Sequence, residues 1–130
     1  MENIKVPVSP GEVLDKITIL EIKSERMSDP EKVSNDRVEL ALLQQTWDEA
    51  IADDEVIRRL RAQLKEINEA LWEIEDDIRD KERAREFDER FVELARAVYF
   101  TNDRRSEVKK ELNLHLGSQI IEEKSYQDYS

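Results

Sequence analysis

Ile57, Leu60, Leu64, Ile67, Leu71, Ile74 and Ile78 follow one another at alternating spacings of three and four, without a miss. On an α-helix, which turns once in about 3.6 residues, such a series falls on a single stripe. On a strand it would be scattered over both faces. Three heptads of Leu and Ile make a coiled-coil-like seam, and a seam of this length must be covered by another helix. The punctuation of the chain agrees. Two glycines and three prolines in 130 residues fall well below the roughly 12% of an average sequence. A sandwich or barrel needs a turn about every 8–12 residues, and this chain cannot supply them. The sequence predicts an all-α fold: one helical domain over residues 1–130, an antiparallel hairpin or bundle of about four helices.

Composition narrows the chemistry. Charged residues make up 41% and hydrophobic residues 38%, so the core is thin. There is no cysteine, which removes disulfides, zinc–thiolate sites, iron–sulfur clusters and any Cys nucleophile. A single histidine, His115, argues against imidazole metal sites and Ser-His-Asp triads, and its place near a helix end suits contact with terminal carbonyls. The formal charge of −11 opposes attraction to nucleic acid or to an anionic lipid surface. No apolar run approaches the ~20 residues of a membrane span. The start Met1-Glu2-Asn3-Ile4-Lys5 shows no signal-peptide pattern. The expectation is a cytoplasmic protein with no nucleic-acid or membrane partner.

Residues 1–8 read as an extended lead-in. Ser9-Pro10-Gly11-Glu12 is a helix start, with Ser as cap, Pro at the first helical position and Glu three residues past the cap. Val13, Ile17, Leu20 and Met27 follow at helical spacing, while Ile19 and Ile22 widen the face. A first helix over 10–27 is therefore expected to be the most buried. Ser28-Asp29-Pro30-Glu31 opens a second over 30–52, striped by Val33, Leu40, Leu43, Trp47 and Ile51. Asp53-Asp54 caps a third over 54–84, which carries the seam; residues 79–86 are its exposed extension or the connection onward. Phe87-Asp88 begins a fourth over 88–116, with Phe91, Leu94, Ala95 and Val98 on one face. Gly117 suits its C-cap. Residues 118–130 form a tail whose Ile120, Ile121 and Tyr126 can pack back.

Beside the seam runs a second stripe, Asn68, Trp72, Glu75 and Arg79, spaced 4, 3 and 4. It is either a widened core with an ordinary i,i+4 ion pair, or one wall of a ligand groove. Asn102, Arg105 and Lys109 repeat the pattern on the fourth helix, unless Asn102 caps a new one. In an antiparallel hairpin turning near residue 85, Asn68 and Asn102 lie equally far from the turn and hence at the same height. The same reasoning brings Arg105 beside Leu64 and Arg61. The predicted ligand-binding set is Lys16, Asn68, Trp72, Glu75, Arg79, Asn102 and Arg105, suited to an anionic or hydroxyl-rich ligand. On the first helix, Lys16 snorkels or meets a carboxylate, and a buried Asp15 would need a partner. The carboxylates Glu73, Glu75, Asp76, Asp77, Asp80 and Glu82 could attract Mg²⁺. However, Glu66 and Glu69 have no matching acidic pair on a later helix, so neither a metal nor a cofactor is expected.

Taken together, Pro10-Gly11-Glu12-Val13-Leu14-Asp15-Lys16-Ile17-Thr18-Ile19-Leu20-Glu21-Ile22-Lys23, Asn68 with Leu71-Trp72, Glu75-Asp76 and Arg79, Phe87-Asp88, Asn102-Asp103 with Arg105, and Glu122-Glu123-Lys124-Ser125-Tyr126 resemble a family of small bacterial all-helical proteins, a domain of unknown function. The resemblance spans nearly the whole chain. It implies a helical fold and a site at the Asn68–Arg79 stripe, but no reaction. The stretch from Asn68 to Arg79 is also similar, more weakly, to a second uncharacterised family associated with surface-polysaccharide genes. The helix from Leu60 resembles those of chorismate mutase, mostly through generic heptad periodicity, and the cations that bind substrate there do not align. Two functional classes stay open. One is a non-catalytic accessory module whose acidic surface docks on a basic patch of a partner protein. The other is a small-molecule-binding protein or enzyme using the groove for an anionic or sugar-like ligand, in surface-polysaccharide metabolism. No catalytic residue is assigned. The seam is also long enough to serve a homo-dimer.

Overall fold

The computed structural model describes residues 1–129 as four helices: α1 (Pro10–Arg26), α2 (Pro30–Ala50), α3 (Glu55–Ala84) and α4 (Glu89–His115). No strand occurs among the described residues, and none of their helices is long and apolar enough to cross a membrane. Every helix starts on a residue whose side chain accepts a backbone N–H of the first turn. Ser9 accepts from Glu12 at 3.2 Å, Asp29 from Glu31 at 3.0 Å, Asp54 from Ile57 at 2.7 Å and Asp88 from Phe91 at 3.0 Å. Such caps satisfy donors the helix leaves open and set its boundaries sharply. The Ile57 amide and then His115 hold the Asp54 carboxyl below its usual range. His115 itself sits 2.8 Å from Asp54, so it bridges two helix ends and does not serve its own terminal carbonyls.

α3 and α4 form the antiparallel hairpin, and α1 packs on both while α2 packs on α1. Lys81–Asp88 at the turn and Arg59–Glu111 and Asp54–His115 at the open end fix the register. Leu14 and Ile17 of α1, Trp47 of α2, Ile57, Leu60 and Leu64 of α3 and Leu112 of α4 make the central core. Each fully buried Leu or Ile side chain contributes about 1.5–3 kcal/mol of transfer free energy. α1 carries seven buried residues in 17, more than any other helix. The seam is unevenly covered. Ile57, Leu60, Leu64 and Ile67 are buried, whereas Leu71, Ile74 and Ile78 are only half-buried. α1 ends beside Glu69 and Glu73, which its Arg26 pairs at 3.8 and 3.4 Å, and beyond that point α3 has only α4 to lean on.

The α3–α4 turn uses Arg85 where glycine is usual. Arg85 has φ 54°, in the left-handed region, while Arg85 and Glu86 donate to the carbonyls of Glu82 and Lys81. A side chain with a Cβ pays about 1 kcal/mol or more for that conformation, and glycine does not. Arg85→Gly is therefore expected to raise stability by about 0.5–1 kcal/mol, read as a shift in the denaturation midpoint. Unchanged or lower stability would show that the turn is held without strain. At the other end of α4, Gly117 takes the left-handed position expected of it, with φ 65°. The tail beyond it lies against α4 through Lys110–Glu123 and Lys124–Asp103 and through Tyr129, which touches Tyr99 and Phe100. Of the tail residues expected to pack back, Ile121 is half-buried, whereas Ile120 is exposed and Tyr126 stays 84% exposed; Tyr129 makes the aromatic contact instead.

Candidate functional site

Asp15 is the charged group most deeply enclosed, 3% exposed on α1 between Leu14 and Ile17. A buried carboxylate must be met by donors, and three reach it. Asn68 of α3 donates its Nδ2 to Oδ1 at 3.0 Å, and Arg105 of α4 donates Nε to Oδ1 at 2.9 Å and Nη2 to Oδ2 at 2.5 Å. Asn68 gives its other amide proton to Thr18 Oγ1 at 2.9 Å, and that hydroxyl donates to the Asp15 carbonyl at 2.7 Å. One carboxylate thus ties three helices together, α4 through an ion pair and α3 through an amide. The hydrogen bond from Asp15 raises the Arg105 guanidinium above its ordinary value, against the opposing effect of burial.

A groove opens on the outer side of this cluster. It is lined by Ile19 and Ile22 of α1, by Asn68, Leu71, Trp72, Glu75, Asp76 and Arg79 of α3, and by Asn102 and Arg105 of α4. Its volume of about 480 Å³ lies within the roughly 300–1,000 Å³ of small-molecule sites. Trp72 is half-buried in its wall, unlike Trp47, which is 5% exposed in the core. Arg105 Nη1 donates to Asn102 Oδ1 at 3.4 Å, and Arg79 Nε pairs with Glu75 at 3.2 Å on the exposed rim. α4 runs unbroken through residue 102, so Asn102 is an interior helical residue and caps nothing.

Six of the seven residues proposed from sequence line this one groove: Asn68, Trp72, Glu75, Arg79, Asn102 and Arg105. Lys16 does not. It follows Asp15 by one residue, which turns it about 100° around the helix. Its Nζ meets Glu39 of α2 at 3.2 Å instead. Arg61 also points elsewhere than expected, to Glu21 at 2.8 Å and Gln44 at 3.1 Å. The second cation of the α4 stripe, Lys109, is enclosed beside Glu12 at 2.5 Å and Glu122 at 3.2 Å. Burial pushes it down, but the Glu12 hydrogen bond and the charges of Asp15 and Glu12 outweigh this and leave it raised. Asp15 and Thr18 are the members the spacing argument left out. The signal was present: a carboxylate on the core side of the most apolar helix needs a partner, and Arg105 and Asn68 were the polar residues facing the core.

Residues 4–129 match the model of a family of unknown function, DUF6165. The chain belongs to that family. The match covers the four helices and the whole groove together. No curated protein and no solved structure matches the chain. Membership of DUF6165 brings no reaction with it. No set of three or more His, Cys, Asp or Glu side chains arranged to hold a metal ion occurs among the described residues.

Proposed function

We propose that this chain is a non-catalytic binding module whose working surface is the α1–α3–α4 groove. The observation that carries this reading is the pairing of an accessible indole wall with polar groups already held in place. Trp72 faces a site where Asn68 and Arg105 are fixed by the buried Asp15. Groups locked before a ligand arrives lose little freedom on binding, which favours affinity. The lining offers hydrogen bonds and an apolar face but no hydroxyl, thiol or imidazole; its carboxylates are Glu75, which is paired with Arg79, and its neighbour Asp76. That composition favours binding over group transfer.

The test is a screen of small polar metabolites read by amide chemical-shift perturbation. A binder is expected to move the amides of residues around 68–79 and 102–105, and Trp72→Ala is expected to lose the response by at least about tenfold while remaining folded. Perturbations confined to other surfaces would remove the groove from consideration.

A second reading, docking of the acidic surface on a basic partner, is favoured by Asp76, Asp77 and Glu82. They are exposed on α3 and make no ion pair among the described residues. The two readings separate cleanly. Under docking, Asp77→Asn with Glu82→Gln, both outside the groove, abolishes partner binding and Trp72→Ala leaves it intact; under groove binding the reverse holds.

A further inference from the structure

The groove was expected to suit an anionic or a hydroxyl-rich ligand, and its electrostatics distinguish the two. Of its two cations, Arg105 is engaged on both edges of the Asp15 carboxylate and Arg79 is paired with Glu75. Lys16 faces α2, and Lys109 is enclosed between Glu12 and Glu122. The remaining charge on the lining is Asp76, which has no basic partner among the described residues. An entering phosphate or carboxylate would meet that charge. The Arg105 charge is already neutralised by Asp15, so its remaining N–H groups offer an anion hydrogen bonds but no uncompensated charge, and drawing the guanidinium away would strand a buried carboxylate.

Besides the Asp76 carboxylate and the N–H groups that Arg79 and Arg105 keep beyond their carboxylate partners, the hydrogen-bonding groups left over are neutral. Asn68 is 5% exposed and uses both amide protons internally, while its carbonyl oxygen accepts no hydrogen bond among the described residues. The amide nitrogen of Asn102 and the indole N–H of Trp72 likewise donate to no described residue. One acceptor and two donors, all uncharged, match hydroxyl groups, which both give and accept. Beside them, Trp72, Leu71, Ile19 and Ile22 present an apolar wall against which the C–H face of a ring can lie.

We infer that the groove takes an uncharged, hydroxyl-bearing ring of monosaccharide size, and discriminates against the phosphorylated or carboxylated form of the same ring. This rests on the groove being the working surface. The experiment uses the full chain carrying Trp47→Phe, so that fluorescence reports Trp72 alone. It is titrated with glucose, galactose and N-acetylglucosamine, then with glucose 1-phosphate and glucuronate, and with choline as a cationic probe. At least one neutral sugar is expected to bind, with its charged counterparts at least about tenfold weaker. Asn102→Ala, at a half-exposed position outside the core, is expected to weaken the neutral sugar about tenfold. Equal or tighter binding of glucose 1-phosphate, glucuronate or choline overturns the inference and leaves the groove standing as a site. Silence from all six probes in the folded protein overturns the groove reading itself.

Discussion

Replacing Arg105 with methionine is expected to lower stability by about 3 kcal/mol, although Arg105 is a polar residue on the rim of a groove. The methionine keeps most of the stem volume, so the loss isolates the charge. Asp15, 3% exposed, would then keep Asn68 as its remaining side-chain donor. Breaking a buried pair from one side typically costs about 3–5 kcal/mol. The low end applies here because the Arg105 side chain is 27% exposed and water can follow it in. For a chain of this size the change corresponds to a fall in midpoint temperature of about 10 °C. Asp15→Asn in the Arg105→Met background removes the stranded charge and is expected to recover about half of the loss. A double variant whose loss equals the sum of the two single losses would show that the residues are not coupled.

Gly11→Ala is expected to destabilise by about 2 kcal/mol, against the usual direction of a glycine-to-alanine change inside a helix. Alanine gains up to about 1 kcal/mol of helix propensity at an interior site, and less in the first turn. At this position a Cβ would stand 2.8 Å from the backbone oxygen of Lys109 and 3.0 Å from Asn113 Oδ1. The first of these atoms belongs to the backbone of α4 and cannot swing aside. The second accepts the Gly11 N–H at 2.7 Å in a buried bond, which must lengthen if α1 moves away. Overpacking costs about 1–3 kcal/mol, and a weakened buried hydrogen bond adds to it. Urea denaturation measures the net effect, and a neutral or stabilising result would show that α1 can slide along α4 freely. Displacing α1 also displaces Asp15, so a structural change at Gly11 is expected to reach the groove.

Much of this architecture follows from local chemistry. Ser9, Asp29, Asp54 and Asp88 cap the helices where a cap-then-helix reading places them, because a capping side chain bonds its own first turn and needs nothing from elsewhere. The stripe from Ile57 to Ile78 and the near absence of glycine and proline decide for helices, since spacing at 3.6 residues per turn is a property of the chain alone. Even the common height of Asn68 and Asn102 follows from the sequence, once the turn at residue 85 is granted.

What the sequence left open is which way each helix is rotated against its neighbours. Asp15 and Lys16 are adjacent, both charged, and equally plausible beside a groove. Packing turns one inward to Arg105 and Asn68 and the other outward to Glu39. Glycine likewise signals freedom at Gly117 but close contact at Gly11, and only the position of Lys109 and Asn113 distinguishes them. Arg85 carries no sign that it must turn left-handed. The groove's ligand preference belongs to the same class. A list of residue types offers two arginines and a lysine, whereas the tertiary structure pairs both arginines with carboxylates and takes the lysine away. Local propensity fixed the helices because backbone hydrogen bonding is short-ranged; the chemistry of the site awaited the docking of α1, because charge neutralisation depends on partners about 90 residues apart in the chain.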